Sequence, residues 1–162
     1  MPIELPIAWT IALNAIGLPL LQITCAWGFT RMPATWFRPP RPSKGSTAIY
    51  EKFLAIKSWK DLLPDGATWF KGGFPKASLQ RRDRLHLERF LRETWRGELC
   101  HWVALLLIPL FFLWNPWWGD LVIALYALAA NLPCILVQRY NRIRLERTLA
   151  QFQTTSSHAD RP

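Results

Sequence analysis

Across 162 residues, 51% are hydrophobic and 10 are Trp, yet the formal net charge is +9. That length suits one domain with a single core, and nothing in it argues for two. A soluble basic protein that binds nucleic acid would scatter Lys and Arg over polar segments around an ordinary core. The segregation of charge described next sets that class aside, so no nucleic-acid partner is expected.

Between Glu4 and Arg31 lie 26 consecutive uncharged positions, about 39 Å of helix at about 1.5 Å per residue, against a hydrocarbon core of about 30 Å. A span over residues 5–30 is therefore predicted. The positions before it carry no Lys or Arg, and the uncharged run is about twice the length of a signal-peptide core, so a permanent anchor is expected rather than a cleaved leader.

The segment 31–98 is read as one organised, basic loop. "RPPRPSKGS" (38–46) is a proline-rich connector. "STAIYEKFLAIKSWKDLLPDG" follows, with Ile49, Phe53, Ile56 and Leu63 at helical spacing and Lys52, Lys57 and Lys60 toward another side. Pro64 and Gly66 are expected to stop that helix. In "KGGFPK" (71–76) the phosphate-loop pattern is absent, and a turn is expected. "RRDRLHLERFLRETWRGELCHW" sets Leu87, Leu91 and Trp95 as an apolar stripe among six arginines. Two basic amphipathic helices of this kind suit an anionic membrane surface.

Two further uncharged runs, between Glu98 and Asp120 and between Asp120 and Arg139, hold 21 and 18 residues. Spans are predicted over 99–114 and 121–138, joined by a tight turn in "WNPWWGD", whose breakers are Asn115, Pro116 and Gly119 and whose tryptophans suit headgroup depth. The fold class expected is thus an all-α integral membrane protein, with an N-terminal anchor, a C-terminal helical hairpin and interfacial helices between them. The loop carries 15 of the 20 basic residues and the tail 139–162 the other five. By the positive-inside rule, loop and tail are cytoplasmic and the N-terminus outside a cell membrane that the chain crosses several times.

A close hairpin centred on Trp117 sets Glu98 and His101 near the depth of Leu136 and Pro133, with Trp95 and Arg96 level with Gln138 and Arg139. Glu98 and His101 are three residues apart and share a helix face. The facing helix supplies Asn131, Gln138, Arg139, Asn141 and Arg142, whose amides and guanidinia suit a phosphate, a carboxylate or a developing oxyanion. Acyl transfer to a hydroxyl needs this combination: His101 as base, Glu98 orienting the imidazole, and donors for the oxyanion. The competing reading is a headgroup-level network satisfying helix ends, with arginines on lipid phosphate.

Three histidines, His86, His101 and His158, are too few for a histidine-rich di-iron site, and there is no HExxH or paired-cysteine motif, so neither metal nor cofactor is expected. Cys25, Cys100 and Cys134 fall in predicted spans without metal-ligand companions and read as small buried hydrophobes. His101 does not begin an HxxxxD signature either, because Leu106 stands at the aspartate position.

"IKSWKDLLPDG" (56–66), "ETWRGELCHW" (93–102) and "NLPCILVQRYNRIRL" (131–145), together with "TRMP" and "WFR" near 30–38, resemble the glycosyl-diaponeurosporenoate acyltransferases of staphyloxanthin-type carotenoid synthesis. The likeness runs from about Thr30 to Leu149. It implies a membrane enzyme that moves a fatty acyl group, from a donor such as a thioester, onto the primary sugar hydroxyl of a lipid-soluble glycosylated carotenoid. Carried over by motif, the recurring positions are Trp59, Lys60, Asp65, Gly66, Glu98, His101, Trp102, Gln138, Arg139, Tyr140, Asn141, Arg142 and Arg144. The weaker match over Trp69–Arg84 leaves room for another lipid or glycoside acceptor. The alternative to an enzyme is a membrane protein that binds anionic lipid or scaffolds a biosynthetic complex through its basic loop. It would show graded sensitivity over many arginines and no sharp dependence on Glu98 or His101.

Overall fold

The computed structural model describes residues 3–38, 45–63 and 84–159, with side chains to Gln151. The stop at Pro64 and Gly66, the recurring positions Asp65 and Gly66, the turn at 71–76 and most of the proline-rich connector lie outside the described residues, as does the side chain of His158. Five α-helices appear among them: α1 (Ile7–Arg31), α2 (Thr47–Phe53), α3 (Ile56–Trp59), α4 (Arg84–Leu107) and α5 (Trp117–Ala159). No strand occurs among the described residues. The stretches Ile7–Arg31, Arg84–Leu113 and Trp117–Gln151 are long and apolar enough to cross a membrane.

α1 fully buries only Thr10 and Cys25, packs Leu18 and Leu21 against the hairpin and turns most of its other apolar side chains outward, as a helix facing lipid does on all sides but one. Its contact with the hairpin is close at Gly17, where a Cβ would stand 2.9 Å from the Phe111 ring. The backbone N–H of Ile3 donates to the Leu113 carbonyl at 2.9 Å and ties the beginning of the chain to the turn end of the hairpin.

α4 and α5 form an antiparallel hairpin and share the largest interface. α4 gives way to a 3₁₀ segment over Ile108–Leu113, with proline near its start. Pro109 has no N–H and its ring crowds the carbonyl of the preceding turn, which weakens α-helical bonding at the change to 3₁₀, although Pro19 and Pro133 are accommodated inside α1 and α5. The turn follows at Trp114–Pro116. Asn115 satisfies it from the side by donating to the Phe111 carbonyl at 2.8 Å and to the Asn14 side chain of α1 at 3.1 Å.

α5 has 43 residues, about 65 Å at about 1.5 Å per residue, roughly twice a hydrocarbon core. Residues expected to form a tail thus continue the third helix without a break. The arginine-rich stretch before Glu98 is likewise not a separate surface helix: it is the first half of α4, where Leu87 and Phe90 are buried against Leu145 of α5. Both results have one cause. The apolar stripes of the two stretches cover each other, and a membrane surface is not needed to bury them.

The loop helix expected over 47–63 is also divided. Ser46 caps α2 by accepting from the Ala48 N–H at 3.2 Å, but Ala55 takes a left-handed conformation at φ 44, which for a residue with a Cβ costs about 1–2 kcal/mol. The bend turns Ile56 into a fully buried site against Val137 and Tyr140 of α5. Burial of that side chain contributes about 1.5–3 kcal/mol and offsets the strain. Ile49 and Phe53, expected on the same stripe, stay exposed, Phe53 at 75%.

Candidate active site

Midway along the α4–α5 hairpin, between its turn and its open end, lies an ionic cluster built on Glu98, whose side chain is only 1% exposed. Arg139 donates from Nε to Oε1 at 2.5 Å, and a guanidinium nitrogen of Arg142 lies 2.6 Å from Oε2. Trp102, one turn further along α4, donates its indole N–H to Oε1 at 3.3 Å. Both guanidinium groups also meet indole rings: Arg142 lies 4.9 Å from the Trp95 ring centre and Arg139 lies 5.8 Å from that of Trp102. Trp95, Glu98 and Trp102 follow the i, i+3, i+7 spacing of one helix face, so α4 alternates ring, carboxylate and ring toward the arginines of α5.

His101 sits on α4 beside this cluster, and its Nδ1 meets Oδ1 of Asn131 at 2.8 Å. Asn131 is completely buried and donates its amide N–H to the Ala127 carbonyl at 2.9 Å. Glu98 and His101 were expected to pair, and here the structure differs. Both oxygens of Glu98 are engaged by the arginines and Trp102, while His101 is held by Asn131. Charge decides the contest, because a buried carboxylate with two guanidinium groups in reach gains far more from them than from a neutral ring. The same geometry removes Asn131 as a first choice of oxyanion donor, since its amide is engaged at both ends.

Gln138 packs against Gly97 closely enough that a Cβ there would stand 3.0 Å from its Nε2. Asn141 is part-buried one turn on from Val137. The remaining candidates gather on another face of α5. Tyr140 is fully buried and donates its hydroxyl to Oε1 of Glu51 in α2 at 3.0 Å, while Lys57 donates to Oε2 of the same carboxylate at 2.7 Å. The Lys57 bond, and after it the Tyr140 bond, hold Glu51 below the usual carboxylate range. Arg144 stands 5.6 Å from the Tyr140 ring centre. Trp59 packs against the Tyr140 cluster and donates its indole N–H to Leu54, and Lys60 pairs with Asp61.

Glu51, Ile56 and Trp59 against Tyr140 therefore clamp the loop to α5, with Arg144 beside that ring and Lys60 turned to its neighbour Asp61, and Glu98, His101, Trp102, Asn131, Arg139 and Arg142 form the cluster proper. Two contributors carried no expectation of a role, Trp95 beneath Arg142 and Glu51 beneath Tyr140. Helical spacing from Glu98 could have found the first; nothing in the local sequence points to the second, whose partner is 89 positions away.

A hairpin that buries a carboxylate between two arginines of a "VQRYNR" block, beside a histidine of an "ELCHW" block, carries its signature residues where α4 and α5 meet. A family profile described as glycosyl-4,4'-diaponeurosporenoate acyltransferase matches residues 33–151. The chain belongs to that family. A relative of the same description from Staphylococcus aureus strain USA300 is 32% identical over 136 residues, 80% of this chain and 82% of its own length. Another, from a bovine strain of the same species, is 29% identical over the same shares. No solved structure matches the chain. Family membership makes the chain an acyltransferase. Acyl transfer to a hydroxyl is assisted by a base for that hydroxyl and donors for the charge that develops at the carbonyl; midway along the hairpin, His101 stands beside two arginines.

Proposed function

We propose that this protein transfers a fatty acyl group from a thioester donor to a sugar hydroxyl of a glycosylated carotenoid or closely related glycolipid. The transfer takes place at the inner face of the cell membrane, with His101 as the general base. Loop and α5 extension lie on the cytoplasmic side and the N-terminus outside, following the distribution of Lys and Arg. Both substrates are amphiphiles, so polar chemistry at headgroup depth leaves their tails in hydrocarbon.

In this reading, the ring nitrogen of His101 that faces away from Asn131 takes the proton of the sugar hydroxyl as its oxygen attacks the thioester carbonyl. The tetrahedral oxyanion is stabilised from Arg139, whose side chain is 43% exposed while the carboxylate it contacts is buried, and from the Gln138 amide. Collapse of that intermediate breaks the carbon–sulfur bond, and the proton on His101 passes to the departing thiolate. Glu98 takes no proton. It holds Arg139 and Arg142 in place, the arrangement that makes a donor set effective without reorganisation. The exposed Ile49, Phe53 and Leu62, with Lys52 beside Phe53, suit contact with an anionic leaflet next to the site.

The observation that carries the reading is the location of His101 beside a buried Glu98–Arg139–Arg142 cluster. The test is His101→Ala in purified protein inserted in bilayer nanodiscs, with acylated glycolipid followed by mass spectrometry. We expect transfer to fall by about 10³-fold or more with thermal stability near wild type. Near-normal turnover rejects His101 as the base.

A further inference from the structure

We infer that Asn131 is the positioning residue of the reaction: its amide, fixed in one orientation by the Ala127 carbonyl, holds His101 in the single tautomer able to act as base. This rests on the proposed role of His101.

The two ends of a side-chain amide differ in what they can bond. The nitrogen end only donates, and the carbonyl of Ala127 only accepts, so the contact at 2.9 Å assigns the nitrogen of Asn131 to that carbonyl. The other end of the same amide, facing His101 Nδ1 at 2.8 Å, is therefore the oxygen. An oxygen only accepts, so Nδ1 must carry the hydrogen, and the lone pair of the neutral ring is left on Nε2. Reversing the amide would set its nitrogen against Nδ1 and its oxygen against the Ala127 carbonyl, and the second contact would be acceptor against acceptor. Complete burial of Asn131 makes that arrangement costly, because no water is at hand to compensate.

A neutral orienter suits this location. Glu98, the acid nearest in sequence, is committed to Arg139 and Arg142, and a further carboxylate beside His101 would compete with it for those cations. Asn131 fixes ring orientation and tautomer without adding charge to an apolar stretch of α5. The division of labour is then clear: Asn131 aims the base, and Glu98 aims the donors.

The experiment has a direct and a genetic arm. Wild-type protein labelled with ¹⁵N-histidine in nanodiscs, compared with His101→Ala to assign the signal, should show the His101 hydrogen on Nδ1; a hydrogen on Nε2 in the neutral ring overturns the inference, and this arm needs no altered Asn131. Asn131→Leu removes the acceptor at similar volume and should lower kcat by about 10²-fold or more with KM for the acyl donor nearly unchanged. In the His101→Ala background, Asn131→Leu should have no further effect on the residual rate, because two residues acting as a unit are not additive. Full activity of Asn131→Leu beside an inactive His101→Ala overturns the inference alone, whereas full activity of His101→Ala overturns the proposed base as well.

Discussion

The hairpin has two polar networks, one at its turn and one midway along α4, and the two differ in kind. At the turn end, Asn14 of α1 donates to Asn115 at 2.7 Å and accepts from the Trp114 indole at 3.0 Å. This neutral set closes on itself at the edge of a cavity of about 620 Å³ lined largely by apolar side chains of α1 and α5. The network around Glu98 has one buried carboxylate, two arginines and, beside them, a histidine, and one of the arginines is almost half exposed. Both satisfy polar groups in apolar surroundings. Only the second combines a titratable ring with a cation that solvent or substrate can reach, and its proposed role rests on that combination rather than on polarity as such.

The contrast can be broken in three further ways, the largest effect first. Glu98→Ala leaves Arg142 and part of Arg139 without a counter-charge in a buried setting, which costs about 3–5 kcal/mol when one partner of a buried pair is removed. We expect a large drop in melting temperature together with loss of transfer, and a smaller drop for Glu98→Gln, which retains part of the bonding. An unchanged melting temperature for Glu98→Ala would mean that the cluster is not a buried ionic unit. At the turn end, Asn14→Ala should cost about 1 kcal/mol, the scale of polar contacts between membrane helices, and leave turnover per folded molecule unchanged. A selective loss of turnover there would make the two networks equivalent in function.

The smallest effect is the loop clamp. Glu51 titrates below its ordinary value because Lys57 and then Tyr140 bond to its charged form. A carboxylate lowered on folding contributes stability above its unfolded pKa and loses it as pH falls through the folded one. Melting temperature should therefore decline on acidification below the usual carboxylate range, and Lys57→Met should make that decline shallower. Identical acid slopes for the two proteins would remove Lys57 as the cause.

Much of this arrangement was legible in the sequence because charge-free runs and helical counting need only local information. Counting back from Trp117 set Trp95 and Arg96 level with Gln138, and in the structure Gly97 lies against Gln138; α4 and α5 are regular enough that residues can be matched by arithmetic. Partner choice was not legible. Spacing put Glu98 and His101 on one face, but whether a carboxylate turns to its neighbour or across to two arginines depends on distances between helices. Ala55 illustrates the same limit: no local signal marks a left-handed alanine, which is stabilised by Ile56 and Tyr140 meeting across more than 80 residues of sequence. The length of α5 was underestimated for a related reason. A run ending at Val137 marks where apolar composition stops, while the helix continues because Leu145 has Leu87 and Phe90 to cover.

α5 bears the Glu98-facing arginines on one side and Tyr140, the anchor of α2 and α3, on an adjoining side. Being a single unbroken rod, it cannot rotate or slide to favour one set without disturbing the other. The turn of α5 that holds α2 through Glu51 is thus the same turn that presents Arg139 and Arg142 to Glu98.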